Sequence, residues 1–218
     1  MMKFDKILTT GVVWITSDTH YHHTNICRGI TRWRTQDGKT PIDSTRDFQT
    51  LDEMNAAIVN NINEKVGPDD TLIHLGDFAF GGFEKIGELL DRLVCKNIHL
   101  VLGNHDQHIN KNRENIQDRF LSVSKYLEVN IDDVDFVLSH YPHASWNQLS
   151  KGSIHLHGHV HLSPKNKWGK GKRLDVGMDG NRYFPYKITE IVHMMDRREV
   201  RSEMENDHHL DDLVGVVG

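Results

Sequence analysis

Val12-Val13-Trp14-Ile15-Thr16-Ser17-Asp18-Thr19-His20 is the stretch that decides the fold. Its β-branched and aromatic run reads as a buried strand, and it stops on two side chains able to bind a metal. The same arrangement returns four times. Thr71–Leu75 runs into Gly76-Asp77, and Ile98–Leu102 into Gly103-Asn104-His105-Asp106. Asp135–Leu138 runs into Ser139-His140, and Ile154–His157 into Gly158-His159-Val160-His161. One strand-end carboxylate carries little information. Five successive strand ends, each delivering Asp, Asn or His, predict one site at one edge of a sheet, because loops beyond the carboxyl ends of strands converge there.

Between these strands lie helices. Thr50 and Glu53 make a capping box, and Leu51, Met54, Ile58 and Ile62 fall on one helical face before Gly67-Pro68 stops the helix. A second helix carries Phe83, Ile86, Leu90 and Leu93 on one stripe. The order β, loop, α, β, α, β implies a parallel sheet. The loop, Thr31–Asp47, is polar and long enough to be functional. After Asn115 the pattern changes to short strands near Tyr126–Ile131, Asp135–Leu138, Ile154–His157, Arg173–Val176 and Lys187–Met194. That half predicts an antiparallel or mixed sheet packed on the first. Residues 1–195 are expected to form one domain, and 196–218 a polar tail that is a frayed helix or disordered.

The net charge of −5 disfavours broad non-specific DNA binding, which needs excess Lys and Arg. Two cysteines, Cys27 and Cys95, make neither a zinc-finger spacing nor a disulfide framework. No run approaches the length of a membrane span and no signal peptide is visible, so a cytoplasmic protein with reduced thiols is expected.

The ligand set contains two carboxylates, one amide and several imidazoles, with no thiolate. Such donors suit Mn²⁺, Fe²⁺, Zn²⁺, Co²⁺ or Ni²⁺, with manganese favoured here, better than Ca²⁺ or Cu⁺. There are too many for one ion; seven side chains around two ions, with one carboxylate shared, is the economical expectation. Two divalent ions would leave the centre net positive and attractive to phosphate. A hydroxide bridging them would be a nucleophile near neutral pH.

In this order, the five motifs resemble the calcineurin-like metallophosphoesterases, from Trp14 to about Pro185. More narrowly, Thr16-Ser17-Asp18-Thr19-His20, His74-Leu75-Gly76-Asp77-Phe78-Ala79-Phe80-Gly81, His140-Tyr141-Pro142 and Leu174-Asp175-Val176-Gly177-Met178-Asp179 resemble a small bacterial and phage branch. The resemblance implies an α/β fold, a four-layer αββα sandwich of two packed mixed sheets. It implies that Asp18, His20 and His161 hold one ion, that Asn104, His140 and His159 hold the other, and that Asp77 bridges them. It implies that His105 contacts the leaving group or a phosphoryl oxygen, with Asp106 orienting that imidazole. The Asp-Arg-Gly of the protein Ser/Thr phosphatases is absent after Asp77, which disfavours a protein phosphatase.

His23, Asn25 and Arg28 follow the first motif and are candidates for substrate binding. Arg28, Arg32 and Arg34 cluster with Trp33, and Lys165, Lys167, Lys170, Lys172 and Arg173 with Trp168. A basic cluster with an aromatic suits a nucleotide, although a charged turn is the plainer reading of the second. His143 and Trp146 are candidates for a pocket wall, Trp146 equally for the core. The expectation is therefore hydrolysis of a phosphomonoester or phosphodiester, nucleotide or nucleic-acid-derived. The rivals are a metal-dependent binding scaffold without turnover and a small nuclease.

Overall fold

The computed structural model describes residues 4–27, 46–162, 165 and 167–201. Arg28, the Arg32–Arg34 cluster, nearly all of the polar stretch after Thr31 and the tail beyond Arg201 lie outside them.

Among the described residues, nine strands run in chain order: β1 (Val13–Thr16), β2 (Thr71–His74), β3 (Asn97–Val101), β4 (Ser122–Ser124), β5 (Tyr126–Ile131), β6 (Val134–Ser139), β7 (Ile154–His157), β8 (Arg173–Asp175) and β9 (Tyr186–Lys187). They form two mixed sheets. The first has the order β4-β3-β2-β1-β9, with β1 to β4 mutually parallel and β9 antiparallel on the edge. The second has the order β5-β6-β7-β8, antiparallel at β5–β6 and parallel beyond.

The sheets pack face to face. Val13, Ile15, Ile73, Leu75 and Val101 of the first meet Val129, Phe136, Leu138, Leu156 and Leu174 of the second in one buried core. The other face of the first sheet, with Leu72, Ile98 and Leu100, is covered by the helices α2 (Leu51–Lys65) and α3 (Gly82–Arg92). Strands buried on both faces read as continuous apolar runs rather than alternating ones, which is why the first three strands stand out in the sequence. The outer layer of the second sheet is thin: Phe4, Trp146 and Leu149 close over Val137. Trp146 is buried there and its indole N–H donates to Ser153 O, so it is core and not a pocket wall. His143 is likewise tied inward, its backbone N–H to His155 and its ring to Ser139 Oγ.

The capping box forms: Thr50 Oγ1 accepts from Glu53 N, and the Glu53 carboxylate accepts from Thr50 N. Phe83 departs from its expected stripe; it is exposed, and Ile86, Leu89 and Leu90 carry the buried face of α3. The last expected strand, Lys187–Met194, is a two-residue strand followed by a helix, α4 (Ile188–Met195). Its apolar residues suit either period, but Ile188, Ile191 and Met195 bury at helical spacing while Thr189, Glu190 and His193 face out.

Ile191 packs fully buried into the inter-sheet core. Ile191→Ala should cost about 2–5 kcal/mol in urea unfolding, the range for such cavities. Glu190→Ala should change stability by less than about 0.5 kcal/mol. Equal costs at both positions would contradict the helical face.

Candidate metal centre

The loops that leave β1, β2, β3, β6 and β7 meet at one end of the two sheets. Asp18 and Asp77 are 0% and 2% exposed, and His140 is fully buried. Asp18, His20, Asp77, His159 and His161 all have left-handed backbone, with φ between 47° and 72°. Non-glycine residues rarely adopt that region, and each instance costs of order 1 kcal/mol. The turns redirect side chains out of the strand direction and into a common space. Glycines make room for them. A Cβ on Gly103 would lie 2.2 Å from Asp77 Oδ1, and one on Gly158 would lie 2.3 Å from Asp18 Oδ2.

Two groups of side chains able to hold a metal result: Asp18, His20 and His161, and Asp77, His140 and His159. Within each, the ligand atoms lie within 4.8 Å of one another. His20 Nε2 and His161 Nε2 are 3.1 Å apart. Two nitrogens each about 2.1 Å from one ion sit about 3.0–3.4 Å apart, so this spacing fits a shared cation. Asn104 Oδ1 lies 3.0 Å from His140 Nε2, which brings the amide to the second group. Asp77 Oδ2 faces both groups, 3.5 Å from His20 Nε2 and 3.4 Å from His140 Nε2. Its other oxygen accepts the His105 N–H at 2.8 Å. The ring nitrogens are arranged to match. His140 donates Nδ1–H to Leu75 O at 2.8 Å, and His161 donates Nδ1–H to Asp179 Oδ2 at 2.8 Å, so each turns Nε2 inward.

Residues 11–174 match the calcineurin-like phosphoesterase family. The chain belongs to this family. It is therefore a metal-dependent phosphoric ester hydrolase with phosphate-ester substrates, and the two side-chain groups are candidate sites for the family's divalent metals. It is 26% identical over 194 residues to an uncharacterised protein of Methanocaldococcus jannaschii, covering 86% of this chain and 93% of the relative. It is 25% identical to the gene 66 protein of Mycobacterium phage L5, covering 76% and 86%. Among solved structures, a protein of unknown function from Aquifex aeolicus shares the fold, with a TM-score of 0.57, 23% identity and coverage of 84% and 98%. Among the described residues, no helix is long and apolar enough to cross a membrane.

The supporting contacts of the phosphoesterase centre differ from expectation at Asp106. Its carboxylate does not orient His105. One oxygen accepts the N–H groups of Asp77 and Gly103, both at 2.8 Å, and the other accepts that of Phe78 at 2.9 Å. Asp106 therefore clamps the turn carrying Asp77 to the turn carrying Asn104. Its three bonds leave little reach toward an imidazole that lies exposed. Burial pushes the Asp106 carboxyl up to about 6, despite those three donors.

Two residues without an assigned role from the sequence are prominent. Asp179 holds His161, and it is itself held by Arg46, with Nε to Oδ1 at 2.9 Å and Nη2 to Oδ2 at 3.1 Å. Arg46 is completely buried. Asp179 follows β8, so strand-end logic could have found it. Arg46 ends a polar stretch, and no periodicity or motif marks it.

Two other histidines are structural. His74 accepts the Gly76 N–H at Nδ1 and so donates from Nε2 to Thr19 Oγ1. His155 accepts the His143 N–H and donates to Val137 O. Both are spent inside the protein. At the mouth, His23 stacks on Phe80, ring centroids 3.6 Å apart, and its Nδ1 lies 3.2 Å from His20 Nδ1. That places His23 behind a metal-binding imidazole. Asn25 is exposed on α1 (Thr24–Cys27). His105 is exposed beside Phe80, 4.8 Å between ring centroids. Tyr141 stands 46% exposed, edge-on to His140 and His159. Trp168 is less available than its sequence suggests. The Arg198 guanidinium lies 5.2 Å and the Lys167 ammonium 5.7 Å from its ring, and it pairs with Leu174.

Electrostatics follow from burial. Desolvation raises the Asp18 carboxyl, partly offset by His161 and His140. Burial would raise Asp77 too, but His140 and the His105 N–H outweigh it and hold it below the usual carboxylate range. His20 is held well below its ordinary value by burial and by the neighbouring His161 and Arg46. Burial would also lower His161, yet Asp179 and Asp18 win and raise it to about 9. In the metal-free protein a proton on His161 Nε2 thus points at His20 Nε2, where a cation would sit. Metal and proton compete. Mn²⁺ affinity should rise between pH 6 and 9, and binding at pH 7 should release a proton, seen as calorimetric heats that change with the buffer's ionisation enthalpy. Buffer-independent heats would contradict this competition.

Proposed function

We propose that this phosphoesterase holds two divalent transition-metal ions, manganese favoured, and hydrolyses a nucleotide or nucleic-acid-derived phosphomonoester or phosphodiester. In this proposal Asp18, His20 and His161 bind one ion, Asn104, His140 and His159 the other, and Asp77 both. The observation that carries it is Asp77 Oδ2, within 3.5 Å of His20 Nε2 and 3.4 Å of His140 Nε2, with Oδ1 already taken by the His105 N–H. One oxygen is left, and it serves both groups.

When bound, such an ion pair activates water as a nucleophile and neutralises charge on the phosphoryl oxygens. The chain's own residues do the rest. Asp106 fixes the turns of Asp77 and Asn104 relative to one another. His105, outside both groups and exposed, is placed to donate a proton to the leaving oxygen. Tyr141 flanks the mouth, exposed, and its apolar face suits a planar base. His23 and Asn25 remain part of the proposal as residues bordering the substrate, with His23 also orienting His20; Arg28, a candidate from the sequence, lies outside the described residues.

Metal analysis after Mn²⁺ reconstitution should approach two ions per chain, and the protein should turn over a nitrophenyl phosphodiester. Asp77→Asn should weaken both ions and abolish turnover while the fold survives. Substantial activity in Asp77→Asn would remove the shared carboxylate from the mechanism. Absence of turnover in the loaded wild-type protein would favour a binding scaffold.

His105→Ala should retain both ions and lose about 10²–10⁴ in rate on alkyl esters, the range for a positioned acid. The loss should shrink for nitrophenyl esters, whose leaving group needs no proton. Loss of metal in this variant would make His105 a ligand instead.

A further inference from the structure

Arg46 is the largest fully buried side chain described. A buried guanidinium demands an anion and acceptors for its N–H groups. Its anion is Asp179, bound by Nε and Nη2. Two of its remaining donors go to main-chain carbonyls of the first metal turn, Nη1 to Thr19 O at 2.8 Å and Nη2 to Asp18 O at 2.5 Å, and Nη1 also donates to Met54 Sδ at 3.7 Å. Thus Arg46 braces the backbone that carries Asp18 and His20. Through the shared Asp179 carboxylate it also braces His161, whose Nδ1 donates to Oδ2 at 2.8 Å. All three members of one metal-binding group are tied to a single buried cation.

The other group has a different support. His140 donates to a neutral carbonyl, Leu75 O. Asp77 is held through the Asp106 clamp and the His105 N–H. Neither contact involves Arg46 or Asp179. The two halves of the centre therefore have different main supports, one an ion pair and one a set of main-chain bonds, and they meet where the His20 N–H donates to Asp77 O and the His159 N–H to the Asp18 carboxylate.

We infer that Arg46 and Asp179 are positioning residues for one metal half: they fix the His161 Nδ1–H tautomer and the Asp18–His20 turn, and so set the affinity of that ion far more than that of its neighbour. The inference rests on the two-ion reading above. The ionic partner explains why a charge is buried here at all. Asp179 alone would hold the tautomer but add an uncompensated anion. Arg46 cancels that charge while its fork reaches the turn. A lysine could supply the charge but not the fork.

The test is calorimetric titration of metal-free protein with Mn²⁺, without substrate. Wild type should show two binding events. Asp179→Asn should weaken one by about 10–100-fold, the usual loss when a metal-bound histidine loses its carboxylate partner, and leave the other within about threefold. Arg46→Lys should weaken the same event by a smaller factor. A second measurement does not depend on any variant folding. In Zn²⁺-loaded wild type, long-range ¹H–¹⁵N spectra should place the His161 proton on Nδ1. A proton on Nε2, equal weakening of both events, or two unchanged events in Asp179→Asn would overturn the inference. A wild-type protein that takes up fewer than two ions would overturn the two-ion reading, and this inference with it.

Discussion

Asp18 and Asp77 are carboxylates taken out of water within one small space, surrounded by imidazoles that are neutral when burial decides their state. Arg46 is near, but its charge is committed to Asp179. Leaving two anions uncompensated in such a place is costly. In the metal-free protein burial raises the Asp18 carboxyl, Asp179 and Asp18 raise His161 to about 9, and His140 offsets the charge of Asp77. Divalent cations compensate the two anions better, since they supply more charge and accept the inward lone pairs. Much of the local architecture follows from the need to hold these groups without collapse.

The left-handed residues make that point in backbone terms. Five metal-binding residues at φ near 50–70° represent several kcal/mol of strain if each costs about 1 kcal/mol. Such strain persists only when neighbours over-determine the geometry. The neighbours here are specific: Asp106 with three backbone donors, Arg46 with two backbone acceptors, and His159 N–H on the Asp18 carboxylate. Gly103 and Gly158 matter as absences of bulk, because a β-carbon at either would occupy the position of a carboxylate. The strained turns and the buried clamps are one device.

Most of this centre was legible in the sequence because strand-end motifs expose it twice, once by residue type and once by context. Apolar runs such as Val12–Thr16 located the strands to within a residue or two, and the capping box located α2. What stayed hidden depends on tertiary contact. Asp106 looked like a partner for His105 because they are adjacent in sequence, but its carboxylate turns back into backbone. Arg46 sits in a polar stretch that gives no sign of burial. Lys187–Met194 is apolar enough for either period, and only the packing of Ile188, Ile191 and Met195 decides for a helix. For Trp168 with its lysines a charged turn was the plainer reading beside a stacking platform, and Arg198, far along the chain, lies against the ring.

The two sheets contribute unequally and jointly. Loops after β1, β2 and β3 of the first sheet bring Asp18, His20, Asp77 and Asn104; loops after β6 and β7 of the second bring His140, His159 and His161. Each metal-binding group mixes residues from both sheets. Neither sheet alone can assemble either group, so the geometry depends on how the sheets slide and rotate on their shared core of Ile15, Ile73, Phe136 and Leu156. Cores packed at native density resist such sliding, and this gives a hydrophobic interface a direct part in metal affinity. The coupling also runs in the other direction. An ion bound only when both sheets are in register stabilises that register by mass action. The core therefore positions the candidate ligands, and a divalent ion bound among them would relieve their buried charge and hold the two sheets together at that end.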